Sequence, residues 1–161
     1  MQATTKISGL LLFLVVMAPR SHADDNVVTQ AMVGHWESKA HIIVNWCKQK
    51  ELSVSISIRS DDTVSGRVGD AELKNGKILH GRGWVLRVLN WGSEYIIKAD
   101  LHNPIVASEN ISRKNISMPL DFDGASFTGG MHTSGSKFGG REKMKLSAMG
   151  LRLVPNPKQK E

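Results

Sequence analysis

The sequence predicts an all-β fold, an antiparallel up-and-down β-barrel of about eight to ten strands, with a β-sandwich as the alternative. Three observations carry this. Apolar residues recur at every second position through most of the chain, the period of a half-buried strand. Turn chemistry such as Asp61-Asp62, Asn103-Pro104 and Asp123-Gly124 punctuates those runs at short intervals. No stretch shows sustained helical periodicity, and the only long irregular segment, Gly129 to Gly140, leaves little chain for the long crossovers that a sandwich tends to need.

Residues 1–23 stand apart from this pattern. Lys6 opens an apolar run, Ile7 to Ala18, followed by Pro19-Arg20 and the small-x-small triplet Ser21-His22-Ala23. That order matches a secretory signal peptide cleaved near Ala23, and the run is too short to span a bilayer comfortably. A polar lead-in covers 24–33, the barrel domain 34–154 and a basic tail 155–161.

Within the domain the elements follow in order. Leu52, Val54, Ile56 and Ile58 alternate with serines, Ser60-Asp61-Asp62 turns the chain, and Thr63 to Val68 continues the alternation as a hairpin partner. Lys77 to Leu89 places Trp84, Leu86 and Val88 on one face, with a kink expected at Gly81-Arg82-Gly83. Tyr95, Ile97, Ala99 and Leu101 form the next strand, and Ile105-Val106 a short one after the Asn103-Pro104 turn. Ile116, Met118, Leu120 and Phe122 precede the Asp123-Gly124 hairpin signal. The last strand carries Met144, Leu146 and Ala148, then shifts phase to Met149, Leu151 and Leu153, which predicts a bulge at Ala148-Met149.

Composition bounds the function. Removing 23 of the 161 residues leaves 138, one domain able to hide roughly two-thirds of its unfolded surface. Cys47 is the lone cysteine, so no intrachain disulfide can form and a buried thiol beside Trp46 is expected. The chain holds 21 Lys+Arg against 15 Asp+Glu; without Lys6 and Arg20 the balance is 19 against 15, or +4. These charges are dispersed, which speaks against nucleic acid and allows only weak contact with anionic surfaces. No transmembrane candidate follows the leader. The expected product is a soluble protein, secreted or periplasmic.

The densest unusual segment is Gly129 to Arg141, with glycines around His132, Thr133, Ser134, Ser136, Lys137 and Arg141. Glycines let backbone N–H groups approach an anion, and Lys137 and Arg141 can neutralise a carboxylate or phosphate. The competing reading is a glycine-rich hairpin. Ser134-Gly135-Ser136-Lys137 matches a Ser-x-x-Lys nucleophile motif, but that chemistry needs a helix start, which the glycines and the strand context deny. His35, His41, His80, His102 and His132 lack the close pairing of metal ligands, so no metal and no cofactor are expected. Asp61, Asp62, Asp121 and Asp123 sit at turns, where backbone capping explains them; Asp70 and Glu72 stand at a rim. Trp36 and Trp84 read as core, whereas Trp46 and Trp91, beside turn residues, are candidates for exposed contact. Asn110-Ile111-Ser112 and Asn115-Ile116-Ser117 are glycosylation sequons in a eukaryotic source.

Gly34-His35-Trp36 at the start of the domain and Arg152 near its end resemble the lipocalin and fatty-acid-binding barrels. In that group Gly-x-Trp opens the first strand, and a basic residue of the last strand packs across the indole at the closed end. The resemblance implies a cup for a small apolar molecule, with Trp36 plugging its floor and the Arg152 guanidinium stacked on the ring. Unlike many members, the chain has no cysteine pair and no helical lid.

The functional expectation is therefore an exported, non-enzymatic binder of a small apolar or amphiphilic, lipid-like molecule. The expected ligand contacts are His132, Ser134, Ser136, Lys137, Arg141 and Trp91. Two alternatives stand beside it: an adhesion or inhibitor-type module using Trp46, Trp91 and sheet edges, and an enzyme assembled from separate strands.

Overall fold

A computed structural model describes residues 27–45, 47–81, 92–109, 113–134, 137–138, 141–142 and 147–156. Eight antiparallel strands close into one up-and-down barrel. They are β1 (Gly34–Ile42), β2 (Glu51–Ile58), β3 (Thr63–Val68), β4 (Ala71–His80), β5 (Tyr95–His102), β6 (Asn115–Phe122), β7 (Phe127–Ser134) and, after a small excursion, β10 (Ser147–Pro155). The excursion is a two-stranded ribbon of β8 (Lys137–Phe138) and β9 (Arg141–Glu142). Each barrel strand pairs with its neighbour in sequence, and β10 returns to β1 in the register Glu37 to Val154 and Ile42 to Ala148. That last ladder removes both sheet edges, which a sandwich would keep.

The serine alternation of β2 explains its placement. Leu52, Val54, Ile56 and Ile58 are all buried, while Ser53, Ser55 and Ser57 face outward. The same period puts Tyr95, Ile97 and Ala99 of β5 and Ile116, Met118 and Leu120 of β6 inside, in one continuous apolar core. The Asp123 turn joins β6 to β7. Asp123 Oδ1 accepts the amides of Ala125 (2.9 Å) and Ser126 (2.6 Å), Oδ2 accepts the Ser126 hydroxyl, and Gly124 sits at φ +93°. These hydrogen bonds hold the Asp123 carboxyl below its ordinary pKa.

Several elements differ from expectation. β4 begins at Ala71, six residues before the expected start, because Gly69-Asp70 is a tight β3–β4 turn. An unforeseen bulge interrupts β4 between Lys74 and Lys77. There Asn75 adopts φ +51°, and Gly76 lies so close to β3 that a Cβ would overlap the Val64 carbonyl oxygen. Ile105-Val106 does not extend into a strand: the two residues are fully buried in the β5–β6 connection, ahead of a short 3-10 turn at Ala107–Glu109. The phase slip of the last strand is real, but it falls between Met149 and Leu151, at Gly150 with φ +71°. Trp84, Leu86 and Val88 of the expected 77–89 strand, and Met144 and Leu146 of the last one, lie outside the described residues.

Candidate functional site

The two ends of the barrel are built differently. At one end the lead-in folds back as a 3-10 turn, Gln30–Met32, and is tied down at both sides. Asp62, at φ +63° in the β2–β3 turn, accepts the amides of Val28 (2.9 Å) and Val27 (3.3 Å). The Trp36 indole N–H donates to the Met32 carbonyl at 2.9 Å. Trp36, 3% exposed, packs edge-on against Phe127 at 4.8 Å and Phe122 at 5.9 Å between ring centres. Trp36 is thus packed among aromatic rings at this end.

The stacking implied for Arg152 is not made. Strand alternation buries Leu151 and Leu153 and turns Arg152 out to solvent, so the two phenylalanines meet the Trp36 ring instead. On the outer wall Arg152 adds to the depression of the Asp123 pKa, and its backbone amide donates to Ser38 Oγ at 3.0 Å.

The opposite end, where β1, β3, β5 and β7 finish, has small inward positions. Ala40, Ala71, Ala99 and Ala148 are each buried, as is Thr133. Larger strand side chains, Ile42, Leu52, Val68 and Ile116, are buried at the same end. The segment after β5 crosses to the β3–β4 turn, where the Asp70 amide donates to the Ile105 carbonyl (3.0 Å) and Asp70 Oδ2 accepts the Ala107 amide (2.9 Å). Ile105 and Val106 are thereby pressed into the core as a strap. Cys47, in the β1–β2 connection, is also fully buried, as expected of the lone cysteine. Arg113, just ahead of β6, is 6% exposed, and burial lowers its pKa from the usual guanidinium value.

The predicted contact residues separate on this frame. β7 ends at the strap end, so the ribbon holding Lys137 (paired with Glu142) and Arg141 (paired with Phe138) continues from there. Ser134 closes β7 opposite Asn115. His132 belongs to the outer wall: Met131 and Thr133 beside it are buried, and His132 is exposed. It cannot reach a ligand head from inside the barrel. Ser136 and Trp91 lie outside the described residues, as do Trp46 and Asn110. β4 ends and β5 begins at the Trp36 end, away from Ser134.

On the outer wall His132 lines a groove of about 460 Å³ with Asn75, Lys98, Asp100, Asn115 and Ser117, above the inward-facing Ala99 and Ile116. Asp100 accepts Asn75 Nδ2 on one oxygen (2.9 Å) and Asn115 Nδ2 on the other (2.8 Å). Sequence reasoning missed this group. Its one local signal is Asn75-Gly76 inside a strand, a bulge dipeptide. Comparison with protein-family models, curated proteins and solved structures finds no match.

Proposed function

We propose that this protein binds a small amphiphilic molecule, its apolar part entering the barrel beneath the Ile105-Val106 strap. The observation that carries the reading is the asymmetry of the two ends. The other end is packed with the aromatic rings of Trp36, Phe122 and Phe127, whereas the strap end mixes four buried alanines with aliphatic side chains and carries a segment held through one turn. An eight-stranded barrel has an interior that side chains can fill or that can hold one small ligand, so displacing two residues of loop makes the difference. Arg113, a cation withdrawn from water at that end, favours an acidic head group over a neutral one. Lys137 and Arg141 follow β7 at the same end and supply further charge.

A fluorescent fatty-acid probe tests this. The probe is expected to bind with about micromolar affinity and to be displaced by unlabelled fatty acid. Ala40→Leu, which fills the strap end, should weaken binding while far-ultraviolet circular dichroism stays native. Replacing Lys137 and Arg141 together by alanine should weaken acidic ligands more than their neutral alcohols. A flat probe signal from folded wild-type protein sinks the proposal.

A further inference from the structure

We propose that the outer-wall groove above β4–β7 is a second site, separate from the barrel interior, and that it takes a neutral polyhydroxylated ligand, a saccharide unit. An exposed carboxylate on a strand ordinarily swings freely. That of Asp100 is held by two amides from different strands, one on each oxygen, so its remaining lone pairs have fixed directions over the groove. Preorganised acceptors of that kind lose little freedom when a ligand arrives.

Asn75 reaches Asp100 because the β4 bulge sets it on the outer face at φ +51°, a region that non-glycine residues seldom occupy. Bulges re-aim side chains and cluster beside functional sites. Around the clamp, Lys98, Ser117 and His132 lie in one cross-strand row, Lys98 opposite Ser117 and Ser117 opposite His132. Among the described residues these three side chains make no hydrogen bond or ion pair, so their donors and acceptors remain available.

The chemistry of the lining selects the ligand class. One carboxylate, one ammonium, two amides, a hydroxyl and an imidazole give a groove of mixed polarity and almost no net charge at neutral pH. A phosphate or sulfate would meet Asp100 head-on, and a cation would meet Lys98. Vicinal hydroxyls, each both donor and acceptor, match the alternation of carboxylate and amide along the groove. The volume lies within the range of small-molecule sites.

The test is a titration of the ¹⁵N-labelled full domain, followed by amide chemical shifts. The probes are glucose, galactose, mannose, N-acetylglucosamine and their β1-4-linked disaccharides, with inorganic phosphate and sulfate as anionic counterparts. At least one neutral sugar is expected to give saturable shifts at the Asn75 and Asn115 side-chain amides and at backbone 98–100 and 115–117, with a dissociation constant of about 1 mM or tighter. Asp100→Ala and the groove-filling Ser117→Trp should each weaken that binding at least about tenfold. Asn75→Gly separates role from fold: glycine suits φ +51°, so the thermal midpoint should hold or rise while sugar binding falls. The proposal is overturned if no neutral sugar gives saturable shifts, if only phosphate or sulfate does, or if Asn75→Gly binds as wild type does.

Discussion

Replacing Phe127 by alanine measures how much the barrel floor contributes. Phe127 is fully buried, 4.8 Å from the Trp36 ring centre at an interplanar angle of 77°, and 4.6 Å from Phe122. Truncating a buried phenylalanine costs about 3–5 kcal/mol through lost transfer energy and the remaining cavity. Each aromatic pair adds about 0.5–1.5 kcal/mol beyond area, which places the expected loss near the top of that range. Domains of this kind hold about 5–15 kcal/mol in total, so the variant should be folded but marginal. Phe122→Ala should cost clearly less, because Phe122 is only partly buried, and Phe127→Leu less again because it leaves most of the volume filled. Urea denaturation followed by circular dichroism gives the three values, with m unchanged if the denatured state is the same. For a domain of this size ~5 kcal/mol corresponds to a thermal shift of roughly 15–20 °C. Equal losses at 122 and 127, or a loss below ~1.5 kcal/mol at 127, would falsify the assignment of the floor as the anchored end.

Two further outcomes follow from the turns. Asp70→Ala removes the acceptor of the Ala107 amide, a loss of only about 0.5–1 kcal/mol at an exposed site. Stopped-flow mixing should nevertheless show faster association of the fatty-acid probe, and exchange of the 105–109 amides should speed up; unchanged exchange there rules out the strap as the moving part. The Asp123 carboxyl, held below its ordinary value of 3.8 by the Ala125 and Ser126 hydrogen bonds, binds a proton more readily unfolded than folded. Its stabilising effect is therefore complete above about pH 4 and disappears as pH falls through the lowered folded value. Carbon-detected titration should place its midpoint below 3.8, and Asp123→Ala should flatten the acid limb of the stability profile. A midpoint at or above 3.8 contradicts the hydrogen bonds.

The inward face was legible because its determinant is a period of two, which survives whatever pairs with what. Leu52 to Ile58, Tyr95 to Leu101 and Ile116 to Phe122 each declare which residues face the core before any partner strand is known. Cys47 was legible on other grounds, as a lone cysteine with no possible intrachain disulfide. Ile105-Val106 misled the reading because two buried aliphatics look alike in a strand and in a strap. What separates them is Asp70, 35 residues earlier than Ile105, whose backbone amide holds the Ile105 carbonyl. Arg152 misled it too: the alternation of Leu151 and Leu153 already set its side chain on the outer wall, and stacking on Trp36 was implied by the resemblance alone.

The outer face is a different problem, because nothing there is selected by burial. Asp100 acquires its clamp through the register of β5 with β6, which sets Asn115 opposite it, and through a bulge in β4 that brings Asn75 within reach. Neither register nor bulge leaves a periodic trace. A one-residue slip in β6 would turn Asn115 inward and bring Ile116 out, destroying core and clamp together. The apolar alternation that closes the barrel thus also fixes which polar side chains meet on its outside. In this fold a polar site on the wall depends on the core pattern for its existence and on two local departures from that pattern, Asn75 and Gly76, for its shape.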